Sequence, residues 1–309
     1  MSADPASIVQ QFSDGLANAV EIAAPSVVTV FGRRRLPGTG VVWQVDEEST
    51  WIVTASHVVE REDDLAVGFP DGQQRPATLQ GRDVSRDLAV LRVSRGDEAP
   101  LAAQERPARV GQIVLALGRP GQFAVKASFG IVTAVGTVAR RRSRSVRLIH
   151  PSVAFLPGFS GGPLVSPVGE LVGINTSGLT WQGGVSIPAD QVQRITADII
   201  SVGYPRTGWI GVTVQQATIA EQFRPQTGDQ EVGLLIVGIA PGSPAEDAGL
   251  LVGDMLVTLG DQAMTDVGDL QLLLDGDQIG NTLVAGVLRG GTLTTIEVTP
   301  VERPGQQRP

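Results

Sequence analysis

The composition of this chain points to oxygen nucleophiles, because its 309 residues include no cysteine and only two histidines, His57 and His150. Without cysteine there is no thiolate, no disulfide and no Cys-based metal site, and the redox compartment cannot be read. Any imidazole base is one of two residues. The richest chemical pattern is Gly158-Phe159-Ser160-Gly161-Gly162-Pro163. A glycine two positions before a serine lets the backbone turn so that the amides of Gly158 and Ser160 converge on one point. Two donors aimed at one oxygen stabilise a developing oxyanion, and losing one such donor costs roughly 2.7 to 4 kcal/mol of transition-state stabilisation in hydrolases. Gly161 and Gly162 leave room for a substrate backbone beside the hydroxyl. The same hexapeptide also satisfies a plain hairpin turn, so alone it leaves both readings open.

A serine hydroxyl needs a neighbouring base whose tautomer is fixed by a third group. His57 lies in Thr54-Ala55-Ser56-His57-Val58-Val59, directly after an apolar stretch, and Asp87 directly precedes Leu88-Ala89-Val90-Leu91. Each by itself reads as a half-buried histidine or a turn carboxylate. Together they supply a base and its orienter at two strand ends. Their chain order with Ser160 is that of the double-barrel serine proteases, not the Ser, acid, His order of the α/β-hydrolases. This chemistry requires one imidazole in contact with both the hydroxyl and the carboxylate, and acylation that slows on acidification as the imidazole takes up a proton.

The elements that must position these residues follow from periodicity. Ile8, Phe12, Leu16 and Val20 recur every fourth residue, which predicts an amphipathic N-terminal helix over residues 1–24, ending before Pro25. Short stretches rich in Val and Ile then predict strands at Val27 to Phe31, Gly40 to Val45, Trp51 to Thr54, Leu65 to Phe69, Leu88 to Val93, Gln112 to Leu117, Ala127 to Val135, Gly162 to Val165 and Leu171 to Asn175. With no helical crossovers between them, they form an antiparallel barrel or sandwich. Val192, Ile195, Ile199 and Ile200 mark a helix with Asp190 as its N-cap, stopping near Gly203. The chain thus divides into a helix (1–24), a β-domain (25–202), a linker (203–208), a second domain (209–302) and a polar tail (303–309).

Composition excludes several function classes. With 42% apolar and 18% charged residues the chain is globular and not disordered. A net charge of −8 offers no general surface for nucleic acid. No apolar run approaches the roughly 18 residues of a membrane helix. Gln10, Gln11, Ser13 and Asp14 interrupt any N-terminal export signal, so the chain reads as cytoplasmic as written and as periplasmic if it is a mature or trimmed form. The basic cluster Arg140 to Arg147 reads as a solvated loop, and a lone His150 as structural.

These residues resemble the HtrA (Deg) type of trypsin-like serine protease followed by a PDZ domain. The likeness covers about residues 25 to 300. It rests on the His57 and Ser160 segments, Asp87-Leu88-Ala89-Val90-Leu91, Leu171-Val172-Gly173-Ile174-Asn175-Thr176 and Ile187-Pro188. It implies a mainly β fold, a chymotrypsin-like double β-barrel with a PDZ domain, in which His57 is the general base, Asp87 its orienter and Ser160 the nucleophile. Gly158 and Ser160 supply the oxyanion hole. Residues 152 to 157 then wall the substrate pocket through Ala154, Phe155 and Leu156, with Gly178, Gly184 and Ser186 as further walls. That wall has no carboxylate, which implies cleavage after small or medium aliphatic residues. The family's Asn before the serine and Asp eight positions before it are here Phe159 and Ser152, and a bulky ring at 159 would narrow or silence the site.

In the second domain Trp209-Ile210-Gly211-Val212 and Pro241 to Leu250 resemble PDZ signatures. Ser243-Pro244-Ala245-Glu246 is itself a helix start, with Gly249 past its end. The resemblance implies a groove between the strand after Gly211 and a helix around Val267 to Leu274, taking a peptide C-terminus on the amides of Ile210 and Gly211. Asp254 reads as a turn carboxylate and Arg289-Gly290-Gly291 as a hairpin turn. The implied partners are unfolded protein or peptide substrates, peptide C-termini and further copies of the chain in a homotrimer assembled through Phe12, with no metal, cofactor or nucleic acid. The rival expectation is a proteolytically silent scaffold or chaperone that binds peptides through the PDZ domain, and a weaker one is an esterase of small acyl compounds.

Overall fold

A computed structural model describes residues 5–34, 36–121, 124–140, 143–180 and 183–305. The chain divides into two compact units, the first from residues up to Thr137 together with Arg147–Pro205, the second from Arg206 onward with Val138–Val146. In the first unit a helix α1 (Pro5–Ala23) leads into two closed antiparallel barrels of six strands each.

The first barrel is β1 (Val27–Phe31), β2 (Gly38–Val45), β3 (Ser49–Thr54), β4 (Ala66–Gly68), β5 (Gln74–Asp83) and β6 (Leu88–Ser94), closed in the order β1-β2-β3-β6-β5-β4. Its core holds Val28, Val30, Ile52, Val67, Leu91 and Val93, all buried, and each large aliphatic placed there contributes roughly 1.5 to 3 kcal/mol. The second barrel is β7 (Ile113–Gly118), β8 (Lys126–Arg140), β9 (Ser143–Pro151), β10 (Pro163–Val165), β11 (Leu171–Thr176) and β12 (Val185–Pro188). It closes around Val114, Val132, Ile149, Phe159 and Leu164. Helix α2 (Ala189–Val202) then lies against β5, β6, β11 and β12, strands of both barrels.

Three strands were absent from the expected pattern, for physical reasons. β5 carries Gln74, Arg75, Thr78, Gln80, Arg82 and Asp83 and is interrupted by Pro76 and Gly81, so it shows no apolar alternation. Backbone pairing with β4 and β6 holds it instead. β9 begins in the arginine-rich stretch, and β12 is only four residues long. The structure also corrects the cap of α2, whose N-cap is Pro188, not Asp190. Strand β12 runs directly to that proline, whose fixed φ suits a helix start. Asp190 instead sits in the first turn, where its carboxylate pairs with Arg147. Gly203 ends the helix in the left-handed region, with φ of 90°. Residues 1–4 of the first helix, Arg141 and Arg142 of the basic cluster and 306–309 of the tail lie outside the described residues.

The second unit pairs β13 (Gly208–Trp209) with β20 (Val301–Glu302). Its main sheet runs β14 (Val212–Thr218), β15 (Val232–Ile239), β16 (Met255–Leu259), β18 (Leu283–Arg289) and β19 (Thr292–Val298), with β17 (Gln262–Ala263) beside β16. Helices α3 (Pro244–Asp247) and α4 (Val267–Leu273) cover it. The Ser243 hydroxyl accepts the Glu246 amide, and the Glu246 carboxylate reaches back to the Gly242 amide at 2.7 Å. Gly290 and Gly291 both have positive φ, 57° and 85°, as a two-residue hairpin between right-twisted strands demands. No helix among the described residues is long and apolar enough to cross a membrane.

Asp254 does more than shape a turn. Its carboxylate accepts the Leu251 amide at 2.8 Å and two Arg289 hydrogen bonds at 2.7 Å each. Burial works against its charge, but the Arg289 hydrogen bonds, the Leu251 amide and the Arg289 charge together hold its pKa below the ordinary aspartate value. A carboxylate lowered in this way stabilises the fold above its unfolded-state pKa and loses that contribution as pH falls through the folded one. Asp254→Asn should therefore destabilise the second unit by about 1.5 kcal/mol at neutral pH. Urea unfolding of both forms at pH 7 and pH 3 would measure it, and the gap should narrow at the lower pH.

Candidate active site

His57 and Asp87 meet because β3 and β6 are antiparallel neighbours. Thr54, the last residue of β3, lies opposite Ala89 near the start of β6, so the residues just past one end and just before the other share an edge of the first barrel. His57 sits in a single 3₁₀ turn, Ser56–Val58, that follows β3. Its Nδ1 is 2.7 Å from Asp87 Oδ2, and its backbone N–H donates to Asp87 Oδ1 at 2.9 Å. The Ser56 amide donates to the Asp87 carbonyl at 3.1 Å. Asp87 has a φ of 56°, a left-handed conformation that a short polar side chain tolerates better than most. The carboxylate is 7% exposed and the imidazole 30%. A carboxylate fixed on Nδ1 sets the tautomer with the proton there and leaves Nε2 as the acceptor.

Two residues hold this pair: Thr176, which sequence reasoning did not single out for a role, and Gly178, which it expected as a pocket wall. The Thr176 hydroxyl donates to Asp87 Oδ2, and in turn accepts the Gly178 amide at 2.9 Å. Thr176 ends the quoted Leu171 to Thr176 segment, so its position next to the apolar strand β11 was the available signal. Gly178 packs onto the same pair, since a Cβ there would come within 2.7 Å of Asp87 Oδ2 and 2.9 Å of His57 Nδ1.

Ser160 belongs to the second barrel, on the turn that enters β10. Leu156-Pro157-Gly158-Phe159 closes with a Phe159 N–H to Leu156 carbonyl bond of 3.0 Å, and Gly158 has a φ of 87°, which only glycine adopts readily. A Cβ on Gly161 would lie 2.1 Å from the Thr39 carbonyl and 2.9 Å from the Ala55 nitrogen, so the serine turn abuts the segment leading to His57. Along this turn the amides of Phe159, Gly161 and Gly162 are each bonded, to Leu156, Asn175 and Phe159 carbonyls. Those of Gly158 and Ser160 have no partner among the described residues. These two are the amides expected from the sequence as oxyanion donors.

The Ser160 hydroxyl is turned to another partner. No hydrogen bond joins it to His57 among the described residues, and Ser160 Oγ instead lies 3.1 Å from Ser177 Oγ. Ser177 follows β11 directly, which brings its hydroxyl to the serine turn. Phe159 departs from its expected place. Its ring is 1% exposed and packs in the second barrel's core against Gly118, where a Cβ would be 2.3 Å from Phe159 Cδ1. It neither narrows nor blocks the cleft.

Of the expected pocket residues, Phe155 lies over Gly184, where an added Cβ would come within 2.2 Å of the ring. Leu156 is 41% exposed, Ala154 is exposed, and its carbonyl accepts the Ser128 hydroxyl at 2.7 Å. Ser186 is fully buried with its hydroxyl given to Asn175 at 2.8 Å, so it is packed behind any wall rather than on it. Of the basic cluster only the Arg147 side chain is described, paired with Asp190.

In the second unit a groove of about 300 Å³ lies between the start of β14 and α4, lined by Trp209, Ile210, Gly211, Val212, Leu270 and Leu274 among others. The Gly211 and Ile210 carbonyls accept the Ala240 and Ala245 amides at 2.8 Å each, while the amides of Ile210 and Gly211 have no partner among the described residues. β14 is the edge strand of the sheet, so it can accept another strand.

Residues 38–174 match the trypsin-like peptidase domain family and residues 208–299 the PDZ domain family. The chain is 32% identical over 284 residues to a probable periplasmic serine endoprotease, DegP-like, of Halomonas elongata, an alignment covering 89% of this chain and 58% of that protein. It is 29% identical to the putative serine protease HhoB of Synechocystis, with 87% and 67% covered. Among solved structures, the HtrA-type protease AlgW with a tripeptide superposes with a TM-score of 0.76 at 28% identity, covering 94% of this chain and 97% of that one. The serine endoprotease from Yersinia pestis superposes at 0.67, with 28% identity and 93% and 98% covered. The chain thus spans between half and three fifths of the length of the DegP-like relative and nearly all of the solved ones.

The close approach at Gly178 gives a direct test of the His57 and Asp87 geometry. Gly178→Ala should push the pair apart, so that the low-field Nδ1 proton resonance of the native imidazole shifts or disappears while the circular dichroism stays native.

Proposed function

Because the chain belongs to the HtrA/DegP-like family of trypsin-like serine proteases with one PDZ domain, we propose that it is a serine endopeptidase that cleaves unfolded or damaged polypeptides by a His57, Asp87, Ser160 triad. One observation carries this reading. From Gly158 to Gly162 the amides without a partner among the described residues are those of Gly158 and Ser160, the pair expected at an oxyanion, and a carboxylate-oriented imidazole lies on the adjoining barrel.

Catalysis begins when the Ser160 hydroxyl leaves Ser177 and turns toward His57. Its Oγ attacks the scissile carbonyl carbon as Nε2 takes the hydroxyl proton. Charge developing on the carbonyl oxygen is met by the Gly158 and Ser160 N–H groups, which need no reorganisation because nothing else occupies them. Asp87 stays ionised, holding Nδ1–H and stabilising the imidazolium. Collapse of the tetrahedral species breaks the C–N bond, and His57 returns its proton to the leaving amine. Water then repeats the sequence on the acyl-enzyme and frees Ser160.

Residues 152–157 contain no carboxylate to pair with a Lys or Arg side chain, and the Phe155 ring over Gly184 supports a shallow apolar pocket. Small or medium aliphatic residues therefore precede the cleaved bond. In the second unit, the open amides of Ile210 and Gly211 hold the carboxylate of a peptide C-terminus while the peptide extends β14. The exposed apolar residues Ile8, Val9 and Phe12 on α1, with Phe12 edge-on to the exposed Phe129, support self-association, which the family likeness makes a trimer. The silent-scaffold reading keeps one observation in its favour, the Ser160 to Ser177 contact in place of one to His57.

Native protein should label with a fluorophosphonate and cleave casein, and Ser160→Ala should do neither; native protein that fails to label supports the scaffold. The acylation rate should fall on acidification as His57 is protonated, and a flat profile from about pH 5 to 8 counts against the triad. Mass spectrometry of the digest should give mainly aliphatic termini, and a predominance of Lys or Arg termini would overturn the pocket assignment. A peptide with a free C-terminal carboxylate should bind at least about 10-fold more tightly than its amide, measured by fluorescence anisotropy on the Ser160→Ala protein.

A further inference from the structure

We propose that Thr39 is a positioning residue that sets the oxyanion amides of Gly158 and Ser160, an assignment that rests on the protease reading above. Thr39 lies on β2 in the first barrel and is fully buried, yet four hydrogen bonds tie it to the serine turn and its surroundings. Its backbone N–H donates to the Ser160 carbonyl at 3.0 Å, and its hydroxyl donates to the Gly158 carbonyl at 2.6 Å. The hydroxyl accepts the Arg119 amide at 2.8 Å, and its carbonyl accepts the Thr54 hydroxyl at 2.7 Å.

The significance lies in which peptide groups are held. The peptide joining 158 to 159 is bonded on its carbonyl side to the Thr39 hydroxyl and on its N–H side to Leu156. The peptide joining 160 to 161 is bonded on its carbonyl side to the Thr39 amide and on its N–H side to Asn175. Between them stands the peptide joining 159 to 160, whose N–H is one of the two open donors. With both neighbours fixed, that N–H cannot rotate away. The peptide joining 157 to 158, which carries the other donor, meets the Thr39-bonded peptide at the Gly158 Cα. One residue of the first barrel thereby holds both peptides that flank the Ser160 donor and the one that follows the Gly158 donor, and its hydroxyl accepts and donates at once. A valine of the same shape would strand the Arg119 amide and the Gly158 carbonyl together.

The test compares Thr39→Ser, Thr39→Cys and Thr39→Val with native protein on a fluorogenic peptide, together with affinity for a peptidyl boronate, which forms a tetrahedral adduct, and for the cleaved product, which does not. Thr39→Val should lower kcat by about 10- to 100-fold with KM changed less than about threefold, the pattern of an interaction made in the transition state. Boronate affinity should fall with kcat while product affinity holds. Serine should restore kcat to near native and cysteine only partly. An equal kcat in all four proteins, a loss confined to KM, or a serine variant as impaired as valine would overturn the proposal. If Thr39→Val does not fold, the serine and cysteine pair decides: serine above cysteine supports it, and equality overturns it. Native protein that neither labels with fluorophosphonate nor cleaves removes the protease reading and this assignment together. Active native protein with equally active Thr39 variants removes this assignment alone.

Discussion

The constraint on which the proposed chemistry depends is that its candidate groups sit on two separately closed barrels and must nevertheless be aligned to a fraction of an ångström. The first barrel carries His57 and Asp87, the second Ser160 with its amides. Neither barrel has an edge strand left to pair with the other, so the junction is made by side chains and stray backbone groups. Thr29 donates its hydroxyl toward the Arg119 and Gly121 carbonyls, the Arg119 guanidinium reaches the Val27 carbonyl at 2.7 Å, and Thr39 grips the serine turn. These are buried bonds in a low-dielectric seam, where each unmade partner would be costly.

Within the first barrel the same economy holds the base. Asp87 accepts from the His57 ring, the His57 amide and Thr176, the last of these from the second barrel. A carboxylate so occupied has one orientation, and so does the imidazole it holds. The seam and the His57–Asp87 pair are therefore one network, in which barrel closure supplies rigidity and polar side chains supply registration.

Much of this was legible in the sequence. The glycine spacing around Ser160, the placement of His57 and Asp87 at strand ends and the turn signals around Ser243 and Gly290 each report a local backbone requirement, which is what a single sequence encodes best. The strands that escaped notice were those held by their neighbours and not by their own pattern: β5 is polar along most of its length, and β12 is too short to show a period. Asp190 looked like a cap because its type and position suited one, but the preceding strand and Pro188 had already begun the helix. Thr39, Thr176 and Ser177 were invisible as functional residues for another reason. Their partners lie far away in the chain, and a threonine on an apolar strand gives no local sign of the bond it makes.

Phe159 shows how the serine turn is secured from behind. By sinking its ring among Val114, Ile149 and Leu164, the residue beside Ser160 becomes a peg driven into the wall of its own barrel. A turn fastened in this manner has no inexpensive way to loosen alone: either the peg stays seated and only small crankshaft motions are open to the flanking peptides, or it withdraws and leaves a hole that the surrounding aliphatics must collapse to fill. Any resting form of this protein would thus have to be reached by turning hydroxyls and peptide planes, not by melting the loop that bears them.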